Sequence, residues 1–537
     1  MIGPSMPPNL TAPVPVLDIE LTESFGSLLP QADRGAYVLV RLHGRPMAQL
    51  WCGPGSMPRD REALLGAVMS TQGVRAVWWL LERALERPVE RLPFSAEELL
   101  APAAPVPESA PTVTVAVGTR ERPEMLGRCL AALAKNNHRP REILVVENGE
   151  ETDVIRRIVQ EHDAVYLSEP RRGLNLARQR AVLAARGDVI AFTDDDAVPD
   201  AGWVGAIARA FAGNPEVSAV TGLVVPLELE TAAQLLFEAY GGFGRGLDRR
   251  RVWAEQPHRP VGHRIGNAGS YGTGASMAFR REALAWAGAF DPALDVGTAA
   301  GCGGELEMFF RVLKLGGTLT YEPSVVVRHE HRRDLNALEQ QITSWGRGFA
   351  AYAEAASRRF PEERASFALL TMWLAASWHL RRIALRKDGE QFPRRLVLRE
   401  LRGLTEGRGE YVTHGNAVPV PYRAPRPRPT ASVVEREVDL SHPLQPLTDV
   451  DRASTVRLQV RARGRHVGTV LVRHAGAPVG VSRMREAIAA ELSPRLLSRA
   501  SGAIEAWQRE LVMALRAPRA VSSTPRASGS GSAEAVT

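Results

Sequence analysis

Cysteine is scarce in this chain of 537 residues, and Cys52, Cys129 and Cys302 lie too far apart for metal-knuckle or CxxC spacing. That argues against a disulfide framework and leads us to expect a reducing, cytoplasmic setting. Long hydrophobic runs are also missing, since no window reaches the ~20 apolar residues that cross a bilayer. The first residues lack a basic stretch followed by an apolar core, so no secretory signal is expected. Peripheral contact at the inner face of a membrane stays open. Aromatic residues make up only 6% of the chain and do not interleave with its basic stretches. The net charge of +7 is therefore not read as a nucleic-acid surface. Part of it lies in the proline-rich stretch Tyr422-Arg423-Ala424-Pro425-Arg426-Pro427-Arg428, and an anionic small substrate would suit the remainder.

Strand-like runs at 113–117, 142–146, 165–167 and 188–192 alternate with helical patterns over 123–134, 153–162 and 175–186. Repeated β-α units predict a mainly parallel sheet with helices on both faces, in a domain spanning 111–350. Each run ends in polar residues. The first gives Gly118-Thr119-Arg120-Glu121-Arg122, the second Glu147-Asn148-Gly149, and the third leads to Pro170-Arg171-Arg172-Gly173-Leu174-Asn175. The fourth ends in Asp194-Asp195-Asp196. Ligands of open α/β sheets bind at the carboxyl ends of strands. Three adjacent acids repel one another, and burial there raises the cost. A hard divalent cation bridging to a diphosphate would relieve it. A solvated acidic turn capping the next helix is the other interpretation.

The flanks have a different texture. Residues 1–105 carry three short strands, around 16–21, 37–42 and 47–51, then a helix from about Asp60 with Trp78, Trp79 and Leu80 on an apolar face. The segment 433–516 repeats that order. Glu437-Val438-Asp439-Leu440-Ser441 resembles Asp18-Ile19-Glu20-Leu21-Thr22, Asp451-Arg452 resembles Asp33-Arg34, and Val460–Arg465 resembles Val40–Arg45. Two copies of a small α+β module are expected, for packing or docking against the central domain. Between them lie a helical extension over 351–405 and a linker over 406–432; a disordered tail over 517–537 ends the chain. Within the extension, Ala365–Leu380 is apolar with basic residues behind it. It is too short to span a membrane, so it packs on other helices or lies at an interface.

The order of elements in the central domain resembles the family 2 glycosyltransferases, which have the GT-A fold. The points of likeness are Thr119-x-Arg after the first strand, an acid after the second, Gly173 through Ala177-Arg178-Gln179 (Gln where the family has Asn), and the Asp triplet. The resemblance implies a nucleotide over Thr119, Arg120, Glu147, Asn148 and Asp195, with Arg178 near its phosphates. It implies that Asp194 and Asp196 hold Mn²⁺ or Mg²⁺, with His329 completing the metal site, and that Asp194 also touches the nucleotide. Gly272-Thr273-Gly274 would form the acceptor side, with Gly241–Gly246 a flexible loop beside it. Gly303-Gly304-Glu305-Leu306-Glu307 stands where the family carries its catalytic base, which makes Glu305 the base and Glu307 the second choice. The activity so implied is metal-dependent, inverting transfer of a sugar from a nucleotide diphosphate-sugar to a glycan, lipid-linked or small-molecule hydroxyl. Nucleotidyl transfer and non-catalytic nucleotide-sugar binding are the alternatives.

Overall fold

The computed structural model describes residues 6–497 except 8, 24–33, 256–258, 385–392, 415–431, 451–452 and 475–477. The expected tail over 517–537, most of the expected linker, and the Asp33 and Asp451-Arg452 comparison lie outside the described residues. The chain opens with β1 (Val16–Glu20), β2 (Ala36–Leu42) and β3 (Arg45–Cys52), then the helix Arg61–Ala84. The Asp60 side chain caps that helix by accepting from the Ala63 N–H at 2.8 Å. Leu80 is buried as expected, but Trp78 faces outward.

The central sheet is built from β4 (Val113–Thr119), β5 (Glu142–Asn148), β6 (Val165–Glu169), β7 (Val189–Asp194), β8 (Ala197–Pro199), β9 (Val217–Pro226), β10 (Arg250–Trp253), β11 (Met277–Arg280) and β12 (Thr318–His329). Its order is β10-β12-β9-β11-β7-β4-β5-β6, with β8 beside β12. Strands β4 to β7 are mutually parallel, whereas β11 and β10 run antiparallel to their neighbours. Alternation along each strand sends residues to opposite faces. Ile190 and Phe192 join one apolar layer with Phe279, Phe309 and Phe310. Val189 and Ala191 join the other with Leu126, Trp203 and Phe211. Each large side chain so buried stabilises the fold by ~1.5–3 kcal/mol.

The helices Leu335–Arg359 and Arg394–His414 form a close pair behind the sheet. Gly346 and Gly403 permit it, because a Cβ on either would run into the backbone of the opposite helix. The second of these helices runs nine residues into the expected linker, so residues 406–414 are helical.

The C-terminal unit holds β13 (Val433–Asp439), β14 (Thr455–Ala462), β15 (Arg465–Arg473) and the helix Val481–Leu497. In each flanking unit the first strand pairs parallel with the second, and the second antiparallel with the third. The expected packing against the central domain is only part of the arrangement. The two units share one core, in which Val38, Val77 and Leu80 lie with Leu458, Val470 and Ile488.

Candidate active site

Strand β4 has β5 on one side and β7 on the other, so the chain order reverses between β4 and β7. Such a reversal opens a crevice at the carboxyl ends of the two strands. Thr119 and Asp194 stand there, on a cavity of about 1560 Å³. Ordinary small-molecule pockets hold ~300–1000 Å³, so this one has space for two substrates.

The register of β8 decides which histidine reaches the acids. β8 follows the triplet directly and pairs antiparallel with the end of β12, opposing Ala197 to His329. The Glu330 N–H donates to the Asp196 carbonyl at 3.0 Å, which fixes that end. One ligand atom each from Asp194, Asp196 and His329 then falls within 4.8 Å of the others. His329 Nε2 lies 3.2 Å from Asp196 Oδ1. The two are not aligned as a hydrogen bond, and this buried oxygen has no hydrogen-bond partner. An orphaned carboxylate oxygen beside an imidazole nitrogen and a second carboxylate suits a divalent cation. Oxygen ligands serve Mg²⁺ or Mn²⁺, and the imidazole favours Mn²⁺.

Asp195 takes a different part. Thr119 Oγ donates to it at 2.9 Å and Arg122 at 3.1 Å, and Arg122 also reaches Asp196 at 3.2 Å. Glu121 has φ +56°, which turns the chain so that Arg122 folds back over the acids. Burial and the neighbouring Asp196 raise the Asp194 pKa. Burial opposes ionisation of Asp196 too, but His329, Arg332 and Arg122 outweigh it and hold that carboxyl well below its usual range. Behind the cluster, His329 Nδ1 lies 3.2 Å from His331 Nδ1, and His331 Nε2 lies 2.8 Å from Glu238. Glu238 accepting from Nε2–H leaves His331 Nδ1 as acceptor for His329 Nδ1–H, which would keep His329 Nε2 aimed at the acids and free for a cation that displaces its proton.

Across the cavity, Glu305 stands half-buried in the first turn of the helix Gly304–Lys314. Burial, then Asp295, push its pKa up to about 7, with Arg178 pulling the other way. Arg178 is buried and ion-paired with Asp295, and Gly274 packs close against it, since a Cβ there would sit 2.5 Å from its guanidinium. Gly272, Thr273 and Gly274 line the same wall. The Gly241–Gly246 loop also lines the cavity but is pinned rather than free, because Arg245 donates to the carbonyls of Gly242, Gly244 and Gly269.

Two expected site residues are engaged elsewhere. Glu147 is buried, and its carboxylate accepts from Thr152 N–H and Oγ at 3.1 and 2.8 Å and from the Tyr166 hydroxyl at 2.6 Å. It ties β5 to the next helix instead of facing a nucleotide. Glu307 is fully buried between Arg311 and Arg359, away from the cavity. The i,i+4 spacing to Arg311 was a legible sign of that ion pair. Asn148 borders the cavity while bridging loops, accepting from the Gly173 N–H at 2.9 Å and donating to the Arg171 carbonyl at 2.7 Å. Arg122, Glu238, Asp295 and His331 were missed in the sequence. His-x-His at the end of a strand, continued in extended backbone, puts both rings on one face, which was the available sign for His331.

Residues 114–285 match the family model described as Glycosyl transferase family 2. This segment belongs to that family. Glu305 and His329 lie beyond the matched glycosyltransferase segment. Its mainly parallel sheet reverses its strand order at the acidic strand end. Over 238 residues the chain is 28% identical to a pre-mycofactocin glycosyltransferase of Mycobacterium tuberculosis, covering 43% of this chain and 46% of that one. Over 119 residues it is 29% identical to a glucosyl-dolichyl phosphate glucuronosyltransferase of Haloferax volcanii, covering 21% of this chain and 38% of that one. The chain thus spans less than half the length of these curated relatives. Among solved structures, it is similar to the mannosyltransferase PcManGT of Pyrobaculum calidifontis in complex with GDP-Man and Mn²⁺. That match has 18% identity and a TM-score of 0.37, over 64% of this chain and 98% of that one. A second is glucosyl-3-phosphoglycerate synthase of Mycobacterium tuberculosis in complex with Mn²⁺, UDP and glucosyl-3-phosphoglycerate. It has 17% identity and a TM-score of 0.31, over 48% of this chain and 85% of that one.

Proposed function

We propose that this chain is a divalent-metal-dependent, inverting glycosyltransferase that moves a sugar from a nucleotide diphosphate-sugar to a hydroxyl acceptor. The observation that carries the assignment is the pairing, across one cavity, of the Asp194–Asp196–His329 set with Glu305, a carboxylate poised near neutrality. Thr119, Arg120 and Asn148 border the donor end, and Gly272–Gly274 the acceptor end. Asp194, Asp196 and His329 would hold Mn²⁺ or Mg²⁺, which when bound neutralises charge on the leaving diphosphate. Glu305 takes the proton of the acceptor hydroxyl as its oxygen bonds to the anomeric carbon and the bond to the diphosphate oxygen breaks. A single displacement needs no protein nucleophile and inverts the anomeric centre. Glu238 and His331 position His329 for the metal.

The test is transfer from UDP-glucose and GDP-mannose with Mn²⁺ and with EDTA, reading nucleoside diphosphate release and the product's anomeric configuration. Metal-dependent release with inversion is expected. Release of pyrophosphate would mark nucleotidyl transfer, and metal-dependent nucleotide binding without turnover would leave a binding protein; either result overturns the assignment.

The two flanking units are assigned to a duplication. Glu20 accepts from the N–H groups of Thr22, His43 and Gly44, and Asp439 does the same for Ser441, Arg463 and Gly464. Both hairpins bulge before the arginine, at Val40/Arg41 and Val460/Arg461. Docking is the role such units suit. A cytoplasmic location accords with three free cysteines.

A further inference from the structure

We propose that the helical segment Arg364–Ala384 docks this protein onto an anionic lipid surface. The segment comprises the helix Arg364–Leu374, a π-turn over Ala375–Leu380 and the short helix Arg381–Ala384. One side is anchored. Phe367 packs edge-on against Phe310 and Tyr352, with ring centroids 4.9 and 5.3 Å apart, and Ser366, Leu370 and His379 are buried beside it.

The opposite side carries apolar groups that stay largely uncovered among the described residues. Leu369, Met372, Trp373 and Leu380 are 56, 60, 60 and 56% exposed. Ala365, Ala368 and Ala376 fill the stripe between them. Single exposed apolar residues are ordinary, but a contiguous stripe with a tryptophan marks an interaction surface. Its charges say which kind. The sequence from Arg364 to Ala384 contains no acid, and exposed arginines, Arg364 and Arg381, stand at its two ends. Arg382 stacks on Trp378, 3.6 Å from the ring centroid, at the side turned toward the cavity.

An apolar stripe bounded by cations, with Trp, Met and Leu at its centre, has the make-up of a helix lying in the headgroup plane. A twofold pairing of two copies along the stripe would set Arg364 against Arg381 or against itself, a like-charge contact. Anionic headgroups neutralise both ends. No helix of the described residues is long and apolar enough to cross a membrane, so the contact is peripheral. Leu374, Trp378 and His379 line the active-site cavity, so docking sets that cavity beside the lipid surface.

The experiment is flotation of the full chain with vesicles of phosphatidylcholine alone and of phosphatidylcholine mixed with phosphatidylglycerol. The chain is expected to float with the mixed vesicles, less so at high salt. The triple variant L369E/M372E/W373E should lower that binding by about tenfold or more while circular dichroism stays unchanged. The surface variant R364E/R381E provides a second route if the triple variant misfolds, and it should remove the preference for anionic vesicles. Three results would overturn the proposal: wild-type chain that stays with the unbound fraction, equal flotation of wild type and variants, or sedimentation showing a dimer that the triple variant splits without any change in lipid binding.

Discussion

Glu305 and Glu307 sit two residues apart on one helix and live in opposite electrostatic worlds. Arginines on two sides of Glu307 overcome the cost of its burial and keep its pKa below the ordinary value. Glu305 faces the cavity with Asp295 nearby, and its pKa is pushed up to about 7. The same division runs through the molecule. Glu322 is held by Arg249 at 2.5 Å and Glu147 by Thr152 and Tyr166, so their charges are spent on holding the fold together. Asp194, Asp196 and Glu305 face one cavity from its two sides, and Asp196 keeps a buried oxygen without a hydrogen-bond partner. A carboxylate with every lone pair answered is architecture, whereas one left wanting is available for chemistry.

The sharpest way to break this division is Asp196→Ala, which should abolish metal-dependent donor binding, measured by calorimetry with Mn²⁺ and a nucleoside diphosphate. Glu305→Gln is expected to keep donor binding and to lower turnover by about 10²–10⁴-fold. Glu307→Ala should do the reverse. Removing one partner of a buried ion pair costs about 3–5 kcal/mol, so it should lower the denaturation midpoint while donor affinity of the folded fraction holds. If Glu307→Gln instead removed turnover without loss of stability, the division would be wrong. Glu238→Gln should weaken Mn²⁺ binding by about 10–100-fold, read by calorimetry, since it releases the orientation of His331 and hence of His329. The mildest effect is that of pH. A base must be ionised, so turnover should hold above about pH 7 and fall roughly tenfold per unit below it, with the acid limb absent from Glu305→Gln.

The parts of this molecule that were plain in the sequence are those fixed by local pattern. The runs at 113–117, 142–146 and 188–192 are apolar because both faces of the sheet are covered, and they became β4, β5 and β7. The triplet was legible because a strand cannot bury three acids without a reason. The division between working and structural carboxylates was harder, because partners decide it. Glu147 and Glu307 have the residue type and position of site residues, and only Thr152, Tyr166 and Arg359 reveal otherwise. Arg359 lies 52 residues from Glu307, beyond the reach of any local pattern. The two flanking units show the same rule. β2 is buried along its whole length and reads as the near-continuous Ala36-Tyr37-Val38-Leu39-Val40, whereas β14 alternates as Val456-Arg457-Leu458-Gln459-Val460. One has the central domain on its second face, through Tyr37 and Leu39 against Leu223 and Val225, and the other has solvent there.

The core shared by the first and last units bears on how the chain is made. Val38 and Leu80 leave the ribosome some four hundred residues before Leu458 and Ile488, the groups that finish their apolar surroundings. Until then the early unit is half of a core, too small to bury its apolar surface well. Every strand of the central sheet lies between the two units in the chain, so the folded sheet brings them together and shortens the loop that must close. That core is therefore completed by joining two distant segments, and a chain truncated before residue 433 would carry an intact acidic site beside an unfinished apolar surface, prone to aggregate.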